Sequence, residues 1–432
     1  MTLIPVLTWP SAEARQRLQN RTLEEKELRA SVESIVAEVR NKGDEALLAY
    51  TAEFDGCRLS EADLRVTEQE IDKAYSLVDD GFVTALRKAR DNIRRFHELQ
   101  KKKDWFFQDK NGSSVGQIYR PIERVGLYVP GGTANYPSSV LMTAVPAAVA
   151  GVPEIVMVTP PDREGKVPPA TLVAAREAGV TEIYRVGGAQ AVAALAFGTE
   201  TIRKVDKIVG PGNRFVTLAK KIVYGTVGID MLAGPSEILI IGDGSAEPAY
   251  AAADLLSQAE HDPQARAVLV TPAAGWGQAV VQELKRQAEK LPRREIACQA
   301  LQNCGAVIIV QDLDEAVSVA NMVAPEHLEL LVREPFTYLA AIKHAGAVFL
   351  GSHSPEPLGD YWAGPNHVLP TSGTARFNSP LTVDDFCKRS SIISYTEQGL
   401  RQAAGSIQTL TEWENLEAHG RAVAIRTEEA DK

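Results

Sequence analysis

The stretch RVGLYVPGGTANYPSSVLMTAVPAAVAGVPEIVMVTPP, residues 124–161, decides the fold class. An apolar run from Arg124 to Val129 ends in a glycine-rich turn. A helical segment follows, with Pro137 near its start, where a missing N–H is tolerated. A second apolar run, EIVMVTPP, comes next. Strand, turn, helix and strand in this order read as a parallel βαβ unit.

The alternation continues downstream. Helix PPATLVAAREAG, strand EIYRV, turn GGAQ, helix AVAALAFG, strand KIVGPGN and helix FVTLAKKIVYG follow in turn. A second series starts near residue 237: EILIIGDG, AYAAADLLSQAEH, RAVLVTP, VVQELKRQAEKL, AVIIVQ and a helix from Leu313. GVPEIVMVTPP and QARAVLVTP look alike, which fits either a duplicated α/β unit or the ordinary likeness of two such units. Upstream, residues 30–107 are patterned as helices. Thr67 and Glu70 have capping-box spacing, and Ile71, Ala74, Tyr75, Val78, Phe82, Leu86, Ile93 and Phe96 recur at helical steps. Residues 1–25 and 380–432 are too thin to fold alone, and arms at both ends suggest an intertwined homo-oligomer.

Composition narrows the class. The chain has 432 residues, 45% of them apolar, and a net charge of -10. That acidity disfavours nucleic acid or anionic lipid as the main partner. No apolar run approaches a membrane span, and the N-terminus lacks the pattern of a secretory signal. Cys57, Cys298, Cys304 and Cys387 lie far apart, as reduced cytoplasmic thiols would. None follows a glycine turn, so no cysteine is expected to be a nucleophile.

The standard GxGxxG fingerprint is absent. Three glycine turns at strand ends remain: VPGGTANYP, VGGAQA and GPGN. Helix starts beside strand ends favour phosphate. Tyr128, Gln190 and Asn213 sit in or beside these turns and could serve a nucleotide; the alternative is that the glycines only satisfy tight turns.

Two polar clusters stand out. In LLSQAEHDPQ, residues 255–264, Gln258 and His261 are three apart and share a helix face. Asp360 and His367 lie in the loop-like GDYWAGPNHVLPT, and Glu414 and His419 lie in ENLEAHG, on a short helix ended by Gly420. Gln258, His261, Asp360 and His419 together offer two nitrogens and two oxygens, a set suited to Zn²⁺. Taken singly, each is equally an ordinary structural residue. In VAPEHLELLV, read as a helix end, Glu326 precedes His327. The pair suits two separate proton tasks, or else a solvated helix face. His97, His344 and His353 make no comparable claim.

Taken together, VGLYVPGGTANYPSSVLM, VGGAQAVAALAFGT, DKIVGPGN, DMLAGPSEI, LLSQAEHDP, APEHLEL, GDYWAGPNHVLPT and ENLEAHG resemble the histidinol dehydrogenase family, in family order. The resemblance implies two incomplete Rossmann-like domains with parallel sheets, a helical N-terminal region and extended arms. It divides the chain into an N-terminal arm over 1–25; a first α/β domain formed by 26–127 with 237–380; a second, NAD-binding domain over 128–236; and a C-terminal arm, 381–432, exchanged in a homodimer. Gln258, His261, Asp360 and His419 match zinc ligands. Glu326 and His327 match the proton-handling pair. Ser236, His367 and Glu414 match substrate contacts, as do Gln258, His261, His327, Asp360 and His419. Tyr128, Gln190 and Asn213 match NAD contacts. The implied reaction is L-histidinol to L-histidine through L-histidinal, with Zn²⁺ and two NAD⁺, in the cytoplasm. A related zinc- and NAD-dependent dehydrogenase acting on another small alcohol, such as a sulfonated diol, is the alternative.

Overall fold

The computed structural model describes residues 3–19, 26–131 and 135–428. Residues 20–25 of the expected arm, 132–134 of the first glycine turn and the acidic end after 428 lie outside it. The chain forms two compact units, 1–100 with 122–386, and 101–121 with 387–432.

The larger unit holds two parallel sheets. The first runs Glu182–Arg185, Glu154–Thr159, Arg124–Tyr128, Lys207–Val209, Gly228–Ile229 in spatial order. The second runs Val6–Thr8, Ala306–Ile309, Arg266–Thr271, Glu237–Gly242, His327–Leu331, Ala347–Leu350. Leaving out Val6–Thr8, both sheets follow one plan. The chain starts at a central strand, adds two strands on one side, then crosses back to add two on the other. That repeated topology is what a duplicated α/β unit would produce.

Burial follows the alternation of side chains along a strand. Ile238, Ile240 and Leu269 face the helices Pro248–Ala259 and Ala274–Ala288. Leu239, Ile241, Val268 and Val270 face the opposite layer, which includes helix Leu313–Val323. Covered on both faces, these strands read as unbroken apolar runs. The N-terminal helix Lys26–Lys42 buries Val32, Ile35, Val36 and Val39 in the core shared with helix Gly188–Phe197. The Thr67–Glu70 capping box forms: the Thr67 N–H donates to Glu70 Oε2 at 2.9 Å, and the Glu70 N–H to Thr67 Oγ1 at 3.3 Å.

Three local expectations are corrected. Residues 3–19, read as an arm, pack on their own chain: Val6–Thr8 pairs with Val307–Ile309, and Ile4 and Leu18 are buried. His327 begins a strand, not a helix end. Its apolar register was masked by glutamates at 326 and 329, both of which are buried. Gly420 does not end a helix, since Glu417–Glu428 runs through it. A Cβ there would lie 2.7 Å from Thr411 Oγ1, so the glycine permits close helix packing.

The smaller unit has an antiparallel sheet of Trp105–Gln108, Ser114–Pro121 and Cys387–Ser394, followed by helices Glu397–Trp413 and Glu417–Glu428. Trp105, Phe106, Phe107, Ile393, Leu410 and Trp413 are all exposed.

In the larger unit Lys220 is buried in the helix Arg214–Val223 and pairs with Asp230. It also donates to the Gly210 carbonyl at 3.0 Å, while Asp230 Oδ2 accepts from the Gly210 N–H at 2.7 Å. Lys220→Met strands the Asp230 carboxylate. The expected loss is about 3–5 kcal/mol, read from denaturant midpoints.

Candidate active site

The first sheet positions the three glycine turns at the carboxyl ends of its strands. Here the strand order reverses, beside Arg124–Tyr128 and Lys207–Val209, the usual ligand crevice of open α/β sheets. Tyr128 ends its strand and is buried, and its hydroxyl accepts from the Gly188 N–H at 3.0 Å. Burial pushes its phenol up to about 12. Gln190 lies in the first turn of helix Gly188–Phe197, buried, with neither amide atom hydrogen-bonded. Asn213 caps helix Arg214–Val223, its Oδ1 accepting from Phe215 N–H at 3.0 Å and Val216 N–H at 3.2 Å. Gly210 has φ 113°, and a Cβ there would sit 2.2 Å from the Tyr128 carbonyl oxygen. The three residues therefore stand at the same edge of one sheet, at the ends of Glu182–Arg185, Arg124–Tyr128 and Lys207–Val209, and Gln190 carries an unused donor and acceptor.

The second sheet contributes from its opposite, amino edge. Helix Pro248–Ala259 runs back from strand Glu237–Gly242, so its last turn returns to the start of the sheet. Gln258 is buried there, with its amide oxygen and nitrogen both unbonded. His261 follows, exposed, its Nδ1 3.4 Å from Ser236 Oγ. Ser236 immediately precedes strand Glu237–Gly242, and its carbonyl accepts from the Arg266 N–H at 2.9 Å.

Glu326 and His327 open the adjacent strand and share one anchor. Glu326 Oε2 accepts from the Glu237 N–H at 2.8 Å. His327 Nδ1 lies 2.9 Å from the Glu237 carbonyl. A carbonyl only accepts, so Nδ1 carries the proton and Nε2 keeps its lone pair. That Nε2 has no hydrogen-bond partner and points toward Glu356 Oε1 at 3.6 Å. Burial holds the imidazole below its ordinary value and pushes the Glu326 carboxyl well above its own.

Asp360 lies on the short helix Glu356–Tyr361, not in a loop. Burial would raise it, but the rings of His367, 3.6 Å away at Nδ1, and His327 hold it down at about 2. His367 Nε2 contacts Ser139 Oγ at 3.4 Å. Glu356, at the helix start, is buried, its Oε2 3.4 Å from Ser257 Oγ. Burial and then the charge of Asp360 push it up to about 9. Gln258 approaches it without completing a well-aligned bond. Among the described residues, ligand atoms of His327, Glu356 and Asp360 lie within 4.8 Å of one another.

Thus the larger unit gathers Ser236, Gln258, His261, Glu326, His327, Asp360 and His367 on few elements. Glu414 and His419 belong to the smaller unit. Glu414 follows helix Glu397–Trp413, His419 lies in the next helix, and both are exposed. Glu356 was missed in the sequence. Its only sequence signal was a glutamate four residues before Asp360, on one helix face with it.

Two parallel sheets of one topology, with a carboxyl and an imidazole held side by side at the edge of one, define a Rossmann-like α/β architecture. A family model described as histidinol dehydrogenase matches residues 18–427. Histidinol dehydrogenase of Heliobacterium mobile is 58% identical over 426 residues, covering 99% of this chain and all of that one. That of Moorella thermoacetica is 58% identical over 416 residues, covering 96% and 98%. A crystal structure of histidinol dehydrogenase from Elizabethkingia anophelis superposes with a TM-score of 0.95 at 38% identity, with both chains fully covered. The chain belongs to the histidinol dehydrogenase family.

The raised Glu356 value sets a pH dependence. The native state holds a proton on this group between the ordinary carboxyl value of 4.5 and about 9, where the unfolded chain has lost it. Stability of the metal-free protein present at acid pH is therefore lost as pH rises through that window. Glu356→Gln should flatten this decline. Denaturant midpoints at several pH values across the window measure it, and an unchanged slope would contradict the assignment.

Proposed function

We propose that this protein oxidises L-histidinol to L-histidine through L-histidinal, reducing two NAD⁺, in the last two steps of histidine biosynthesis. The observation that carries this reading is the Glu326–His327 pair, anchored on the backbone N–H and carbonyl of Glu237 and set beside Asp360. NAD⁺ would bind at Tyr128, Gln190 and Asn213, where the unbonded Gln190 amide suits a polar ligand.

In the first half, His327 Nε2 accepts the alcohol proton as the carbinol carbon gives hydride to NAD⁺. In the second, Glu326 takes a proton from water as the oxygen adds to the aldehyde, and His327 returns its proton to the aldehyde oxygen, which gives the neutral hydrate and restores the free Nε2. His327 then accepts the proton of the hydrate as a second hydride leaves for a second NAD⁺, and the acid is released. A raised carboxyl is a stronger base once ionised, and a neutral imidazole is ready to accept. Keeping the aldehyde enclosed between the halves limits its escape.

The donor set fits Zn²⁺. Gln258, His261, Asp360 and His419 would hold it, with one carboxylate kept ionised and one amide left unbonded. When bound, the ion supplies a positively charged template for the imidazole and amine of the substrate. Ser236, His367 and Glu414 would complete the substrate contacts. We further propose a homodimer with exchanged C-terminal arms, which brings Glu414 and His419 to the site of a partner subunit. The exposed aromatic surface of the smaller unit supports this. Four free cysteines fit a cytoplasmic enzyme.

Purified protein should produce two NADH per histidinol, lose this on chelation and regain it with Zn²⁺. No NADH under any of these conditions overturns the reading. Glu326→Gln should slow oxidation of histidinal on the order of 10²-fold or more while sparing the alcohol half. Equal loss in both halves removes the water-activating role. Glu414→Gln should raise the KM for histidinol; an unchanged KM would favour a different alcohol.

A further inference from the structure

Two buried carboxyls near the site have no part in the proposed chemistry, Asp254 and Glu329. Asp254 lies one helical turn before Gln258, on the same face. Glu329 lies two residues beyond His327 on its strand, and so points to the same side. Its Oε1 accepts from the Glu356 N–H at 2.8 Å, at the first residue of the helix that carries Asp360. The Asp254 and Glu329 carboxyls lie close enough that each is the main influence on the other after burial. Two carboxylates can only accept, so a bond between them needs a proton on one. Glu329 Oε2 is fully buried and has no hydrogen-bond partner. With Oε1 already committed as an acceptor, Oε2 is the atom placed to carry that proton.

We propose that Glu329 is a neutral acid that donates from Oε2 to Asp254 and accepts at Oε1 from Glu356, and so acts as the positioning residue for Gln258, His327 and Asp360. One side chain then ties together the helix, the strand and the short helix that bear these three groups. Neither carboxyl touches substrate. The role is geometric, and it rests on the histidinol-oxidising reading of the site.

Glu329→Gln keeps an acceptor for the Glu356 N–H and supplies an N–H to Asp254. Its kcat should stay within about threefold of the parent. Asp254→Asn keeps an acceptor and should behave alike. Glu329→Leu removes both bonds, and kcat should fall on the order of 10²-fold, as expected when reacting groups shift by about an ångström. The rise in melting midpoint on adding Zn²⁺ should shrink in the same variant, because a displaced Gln258 and Asp360 bind the ion less tightly. A merely structural pair would lower the midpoint of the metal-free protein and leave both kcat and the zinc-induced rise intact; that outcome overturns the proposal. So does a glutamine variant as impaired as leucine. Should the leucine variant fail to fold, Glu329→Asp decides, because it keeps a carboxyl too short to reach both partners. Loss of kcat and of the zinc-induced rise supports the proposal, and parental values for both overturn it. Parent protein without NADH production would instead count against the functional reading itself.

Discussion

The site depends on the two hydrogen bonds made by the backbone of Glu237. Its N–H holds the Glu326 carboxylate and its carbonyl holds His327 Nδ1. These bonds orient adjacent side chains toward one space and fix the imidazole tautomer with Nε2 free. A peptide group costs no side-chain entropy to position, because the strand ladder already holds it. The Glu237 side chain is itself buried, which keeps that first residue inside the sheet.

The two sheets share a topology but are used at opposite edges. The first offers the carboxyl ends of its strands, where glycine turns lead into helix starts. The second offers its amino edge, reached by the returning ends of its crossover helices. That edge gathers acidic and imidazole side chains instead of glycines. Duplication of one plan thus yields two half-sites with different chemistry.

Much of this was legible in the sequence, for identifiable reasons. The βαβ rhythm survives in composition because strands buried on both faces must be apolar throughout. The glycine turns were visible because a position such as Gly210, packed against the Tyr128 carbonyl, tolerates no side chain. Gln258 and His261 were paired by helical spacing, but the helix ends at Ala259 and His261 lies in the turn beyond it, where its N–H donates to the Gln258 carbonyl at 3.1 Å. His327 was misread because a strand holding buried glutamates imitates an amphipathic helix in one dimension. Glu356 and the Asp254–Glu329 pair were missed for a related reason. Buried acids normally look like surface residues in a sequence, and only the fold reveals that they face one another. His419 and Glu414 carried a motif but no spatial information, since their unit is separate in the chain's contacts.

The pairing of Val6–Thr8 with Val307–Ile309 has a consequence for synthesis. Strand Val6–Thr8 joins the sheet next to one made some three hundred residues later. As the chain leaves the ribosome, this segment must wait while the whole first sheet and most of the second are produced. Ile4 and Leu18 stay unburied during that interval, and they find their places only after residue 309 has emerged. The edge of the larger sheet is therefore a late, non-local closure, and a segment made well before either sheet is among the last to become native.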